Sequence, residues 1–146
     1  MSFRDVKRAV APIAIALLFS IGLTSCQNLL RYRLIEPARD WQARNGQLLY
    51  SGPKVRLIGE VLVRYSRAGD FELTLTKGPG VPLFILHQNA DFARVQGPLA
   101  RGTWSGPLAH APKRLRGWLA LRDVLTQTSG TTVKHSEGTE TFVFQF

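Results

Sequence analysis

The chain has 146 residues, 45% of them apolar, and a formal net charge of +9. That length is a single domain's worth, and the one cysteine excludes an internal disulfide, so stability must come from packing. No internal repeat or low-complexity segment is present, which sets aside solenoids and disordered tails, and the basic balance favours anionic lipid headgroups or other polyanions as partners.

The first residues read as an export signal. Arg4, Lys7 and Arg8 outweigh Asp5, and no charge follows from Ala9 to Leu23. Ile13, Ile15, Leu17, Leu18, Phe19, Ile21 and Leu23 make that stretch apolar, and the small residues Thr24 and Ser25 stand directly before Cys26. A basic start, an apolar run and a small-residue exit describe a secretory signal. A signal-anchor helix would need about 20 apolar residues. Pro12, Ser20, Gly22, Thr24 and Ser25 dilute the run below that.

Leu23-Thr24-Ser25-Cys26 resembles the lipobox of bacterial lipoproteins. The resemblance implies that residues 1–25 are removed and that Cys26 is lipidated, taking a diacylglyceryl group on its thiol and an acyl group on its new amino terminus. Each buried methylene contributes ~0.8 kcal/mol, and one chain holds a protein only marginally, so two or three chains give lasting attachment to membrane lipid. Gln27 stands where, in the best-known sorting system, an aspartate retains lipoproteins in the inner membrane. It therefore resembles an outer-membrane address, and the expected location is the periplasmic face of that membrane. Nucleic acid is not an expected partner there.

The first 25 residues carry a net +2, which leaves +7 for the mature part. Residues 26–35 read as a lipidated tether and 36–146 as a single β-rich domain. The positive charges of the mature part are scattered through Arg31, Arg33, Arg39, Arg44, Lys54, Arg56, Arg64 and Arg67, then Lys113, Arg114, Arg116 and Arg122, and a solvated basic surface accounts for most of them. A short helix is expected with Pro37 in its first turn and Gly46 just past its end, the positions that suit proline and glycine. Trp41 would be its buried residue.

From Lys54 to Gln96 the period becomes two. Val55, Leu57, Gly59, Val61, Val63 and Tyr65 alternate with Arg56, Ile58, Glu60, Leu62 and Arg64, as in a strand with one apolar face. Ala68-Gly69-Asp70 turns the chain into a second alternating run, Phe71 to Thr76. Gly78-Pro79-Gly80 is the next turn, Leu83 to His87 the next strand, Asn89-Ala90-Asp91 a turn, and Phe92 to Gln96 a strand pairing back. A further short strand holds Trp104 between Gly102 and Gly106. Connections this short make an antiparallel meander.

The pattern then changes once. After Pro112, Leu115, Trp118, Leu119, Leu121, Val124 and Leu125 recur at three and four, the spacing of an amphipathic helix, and Gly130 closes it. Leu115, Trp118, Leu119 and Leu125 should face the sheet, and Lys113, Arg114 and Arg122 should reach water. Gly117 weakens this helix by about 1 kcal/mol relative to alanine. Thr139 to Phe146 returns to alternation, with Phe142, Phe144 and Phe146 on one face. The predicted fold is mainly β with one or two helices: a strongly curved antiparallel sheet, or an incomplete barrel, with a helix on its concave face. Five or six strands fit either a two-layer sandwich or a half-barrel with an apolar hollow.

Three strings resemble the Lol-type lipoprotein carriers, and the outer-membrane receptor among them most. The first is Leu73-Thr74-Leu75-Thr76-Lys77-Gly78-Pro79-Gly80, followed by Leu83, Ile85 and Leu86. The second is the strand and turn from Asp91 to Gly97. The third, Leu115-Arg116-Gly117-Trp118-Leu119, is similar to the Leu-Arg-x-Trp-aliphatic stretch of the receptor's inner helix. The resemblance spans roughly Leu48 to Leu125. It implies an incomplete barrel whose hollow holds the acyl chains of a lipid or lipoprotein passenger. Two departures stand against it: Pro79 occupies the place of the receptor's protruding leucine, and only residues 126–146 follow the helix, where the receptor has several more strands. Both imply a smaller hollow or an altered role.

An acyl-binding hollow needs apolar walls free of buried donors. The candidate wall is Leu57, Val61, Phe71, Leu73, Leu75, Leu83, Ile85, Trp104, Leu115, Trp118 and Leu119; the same residues equally describe a plain core. Val81, Leu83 and Phe84 beside the Gly/Pro turn could touch a bilayer, although a hairpin tip explains them adequately. His87, His110 and His135 are isolated, neither HExxH nor GxSxG occurs, and Glu60, Glu72 and Asp91 are single carboxylates. No catalytic residue, metal site or cofactor is expected. The leading reading is a lipid-anchored protein that buries acyl chains. The alternative is a structural or assembly lipoprotein that holds a protein or polyanionic partner by its sheet edge or basic face.

Overall fold

The computed structural model describes residues 40–146, which lie within the unit Pro37–Phe146. The signal-like segment, Cys26, the tether and Pro37 lie outside the described residues. Eight strands form one open antiparallel sheet: β1 (Gln42–Ser51), β2 (Arg56–Tyr65), β3 (Phe71–Thr76), β4 (Pro82–Gln88), β5 (Phe92–Gly97), β6 (Gly102–Pro107), β7 (Thr132–Glu137) and β8 (Glu140–Gln145). The spatial order is β6-β5-β4-β3-β2-β1-β8-β7. The expected mainly β fold with a helix on the sheet is what the chain adopts.

This order dictates where the helix goes. The meander runs from β1 outward to β6 at one edge, and the chain must then return to β7 at the other. The helix α1 (Arg116–Gln127) makes that crossing over the inner face. Gly117, Trp118, Leu119, Leu121 and Leu125 are its buried residues, and Leu115 just before it is 1% exposed. Lys113 and Arg114 reach water as expected. Arg122 does so only partially: it is half-buried, and its Nη1 donates to the Asn89 carbonyl at 2.9 Å. Arg44 on β1 donates to the carbonyls of Thr128 and Gly130 and lies over the Phe146 ring, so one cation serves both the orphan acceptors past the helix end and the C-terminal ring.

Alternation sorts the sheet into two faces. On β2, Gly59, Val61 and Val63 point inward while Ile58, Glu60 and Leu62 point outward. Phe71, Leu73 and Leu75 of β3 and Phe142 and Phe144 of β8 join the inner face. Outside, Ile58 and Leu49 are cross-strand partners and both are exposed. Arg64, Glu72 and His87 form a polar row, with Arg64 Nη1 3.2 Å and His87 Nδ1 3.4 Å from the Glu72 carboxylate.

Three sequence expectations are corrected. The segment from 42 to 51 is a strand, not the end of a helix begun at Pro37. Gly46 pairs with Val61, and a Cβ there would strike the Gln145 carbonyl oxygen, so this glycine permits close backbone approach between strands. Trp41 is half-exposed, with the Arg64 guanidinium 5.0 Å from its ring centroid. The second correction concerns β4, whose inward residues are Phe84, Leu86 and Gln88, with Ile85 on the outer face beside Thr74. A register shift between Leu75 and Thr76 accompanies this. The third is β7, a strand beyond the five or six expected, which pairs with β8 at the sheet edge.

A basic cleft as the candidate functional site

The structure gathers most of the predicted acyl-binding wall, but as a filled core. Val61, Phe71, Leu73, Leu75, Leu115, Trp118 and Leu119 are buried, and Leu57, Leu83 and Trp104 pack against them half-buried. Ile85 does not belong to this set. Trp118 is 1% exposed and stacks on Phe84 with ring centroids 3.8 Å apart. Tyr50 and Phe142 flank the indole, each with its centroid at 4.9 Å. The rings pack against one another between helix and sheet.

A different concavity lies where four loops meet at one end of the sheet. It is an open cleft of about 540 Å³. Lys54 comes from the β1–β2 loop, Arg101 from the turn before β6, Lys113 and Arg114 from the approach to α1, Arg116 from its first residue, and Glu137 and Glu140 from the β7–β8 hairpin. All five cations are exposed, and none forms an ion pair or side-chain hydrogen bond among the described residues. Against them stand two carboxylates, of which one is already engaged.

That engaged group is Glu140. The Tyr50 hydroxyl donates to its Oε1 at 2.6 Å. Two glycines make the pairing possible. A Cβ on Gly52 would strike the Tyr50 hydroxyl, and one on Gly117 would stand 2.6 Å from Glu140 Oε2. Burial holds the Tyr50 phenol well above its ordinary range, and the hydrogen bond and negative charge of Glu140 add to the effect. The Trp118 indole and Arg101 oppose it. The hydroxyl therefore stays a neutral donor to the Glu140 side chain.

Arg101 is held in an unusual conformation. Its φ of 56° is left-handed, and among the described non-glycine residues it alone has a positive φ. The 3-10 turn Pro98–Ala100 sets it there, with the Arg101 N–H closing on the Pro98 carbonyl at 3.0 Å. Such backbone costs of order 1 kcal/mol or more and is found at functional positions more often than elsewhere.

Sequence reasoning missed Arg101, Tyr50, Glu140 and Gly52 as site residues. Lys54, Lys113, Arg114 and Arg116 were visible only as members of a scattered basic surface, because nothing local joins positions 54, 101, 113–116 and 137–140. Among the described residues no three His, Cys, Asp or Glu side chains are grouped closely enough to hold a metal ion. Nor is any helix there long and apolar enough to cross a membrane. No protein-family model matches the chain, and no curated protein matches it either.

Proposed function

We propose that this is a lipid-anchored protein of the bacterial envelope, held at the outer membrane through Cys26, whose domain recognises an anionic partner at the basic cleft. The observation that carries the binding half is the convergence on one concavity of five exposed cations from three separate segments, none of them in an ion pair among the described residues. The anchoring half rests on the signal-like segment that ends at the sole cysteine. A binding module of this kind serves a structural or assembly role and needs no catalytic group.

A second reading keeps the acyl-carrier role. Its support is the resemblance of the Leu73–Gly80, Asp91–Gly97 and Leu115–Leu119 strings to the Lol-type receptor, together with an inner face that is apolar except for Gln88. It requires α1 to leave the sheet and Trp118 to separate from Phe84, so that acyl chains take the place of the rings.

Three measurements test these readings. Metabolic labelling with an alkyne fatty acid should mark the wild-type chain and not Cys26→Ser; an unlabelled wild type removes the anchor. Association of the domain from Gln27 onward with a polyanion such as heparin should weaken as salt rises, since exposed charges are screened beyond roughly 10 Å at 0.1 M. Saturable binding of a fluorescent fatty acid, with no salt-sensitive binding of any polyanion, would instead select the carrier.

A further inference from the structure

We infer that the cleft is a binding site for the phosphate-bearing headgroup of an anionic phospholipid. This rests on the reading of the protein as a lipid-anchored binding module, and names the ligand of that same site.

The chemistry of the lining points to phosphate. Three of the five cations are arginines, Arg101, Arg114 and Arg116, and the guanidinium fork matches phosphate oxygens bidentately where an ammonium acts as a point charge. They reach the cleft from two separate segments, with Lys54 from a third, so an anion seated there meets donors from several directions. A volume of about 540 Å³ suits a whole headgroup.

The cleft is also amphiphilic, which separates a lipid from a free phosphate. Pro53, Val55, Pro98 and Leu99 form an apolar shoulder beside the cations, and Val55 is 43% exposed. A headgroup carries its glycerol and first methylenes directly behind the phosphate, so it covers such a shoulder; inorganic phosphate leaves it wet.

The experiment uses the full, lipidated chain in uncharged detergent micelles, titrated calorimetrically with dihexanoyl phosphatidylglycerol, dihexanoyl phosphatidylcholine and inorganic phosphate, with empty micelles subtracted. Phosphatidylglycerol should bind at least ten-fold more tightly than either comparison ligand. Arg101→Asn with Arg116→Gln should weaken it about ten-fold or more, the scale of lost charge-assisted hydrogen bonds. Asparagine is chosen at 101 because it tolerates the left-handed backbone. Arg67→Gln with Arg94→Gln removes the same charge from exposed positions outside the cleft and should change binding less than two-fold. Equal weakening by both pairs means diffuse attraction and overturns the site. Equal affinity for inorganic phosphate overturns the lipid, and so does absence of phosphatidylglycerol binding. Salt-sensitive binding of heparin that survives such a failure leaves the broader reading standing, and acyl labelling at Cys26 is independent of all three outcomes.

Discussion

Tyr50 and Glu140 are 90 positions apart in the chain and joined by a 2.6 Å hydrogen bond. Losing the hydroxyl leaves a half-buried carboxylate short of a donor, so Tyr50→Phe should cost about 1–3 kcal/mol in urea denaturation at neutral pH. The cost should depend on pH in one direction. The folded phenol holds its proton above the ordinary value of 10.0, so its contribution is complete below pH 10. Above that the unfolded chain releases the proton first, and the wild type loses stability as pH rises. Tyr50→Phe lacks this group, so the stability gap between the two proteins should narrow above pH 10. A gap that stays constant up to about pH 11.5 would show that the phenol is not perturbed.

At the scale of elements, α1 carries a glycine where its propensity argues for alanine. Alanine would favour the helix by about 1 kcal/mol, yet a Cβ at Gly117 would lie 2.6 Å from Glu140 Oε2 and 3.1 Å from the Phe142 ring. Overpacking of this kind typically costs about 1–3 kcal/mol, so Gly117→Ala should lower the melting temperature. A rise would show that the contact relaxes freely. The same helix was legible in the sequence because Leu115, Trp118, Leu119, Leu121 and Leu125 repeat at its own period. Strands β2, β3, β5 and β8 were legible because they alternate. β1 was not, because Pro37 and Gly46, the latter inside the strand, read like the two ends of a helix, and its pairing with β2 and β8 is invisible locally. In β4, Leu83, Phe84, Ile85 and Leu86 are all apolar, so a period of two cannot say which pair faces in. β7, with sequence Thr-Val-Lys-His-Ser-Glu, has a single aliphatic residue and no pattern to read. The cleft was illegible for a related reason: its charges meet only once the hairpins and the helix have been placed.

For the whole molecule, Trp118 is where sheet and helix become one core. It contacts Phe84 of β4, Tyr50 of β1 and Phe142 of β8, strands far apart in sequence. Trp118→Ala should therefore cost about 3–5 kcal/mol, as other large-to-small changes in a filled core do. A loss below about 1 kcal/mol, together with fatty-acid binding by the wild type, would favour the carrier reading. The order of strands has a mechanical consequence as well. The segment that precedes Gln42 feeds straight into β1, an interior strand with ten partners on β2 and five on β8. Tension arriving through that segment pulls along the strand, so it loads two hydrogen-bonded ladders in shear, many bonds at once. Had the chain begun at an edge and been pulled across it, those bonds would break in succession. A domain pulled through the residues before β1 is thus gripped by the middle of its sheet.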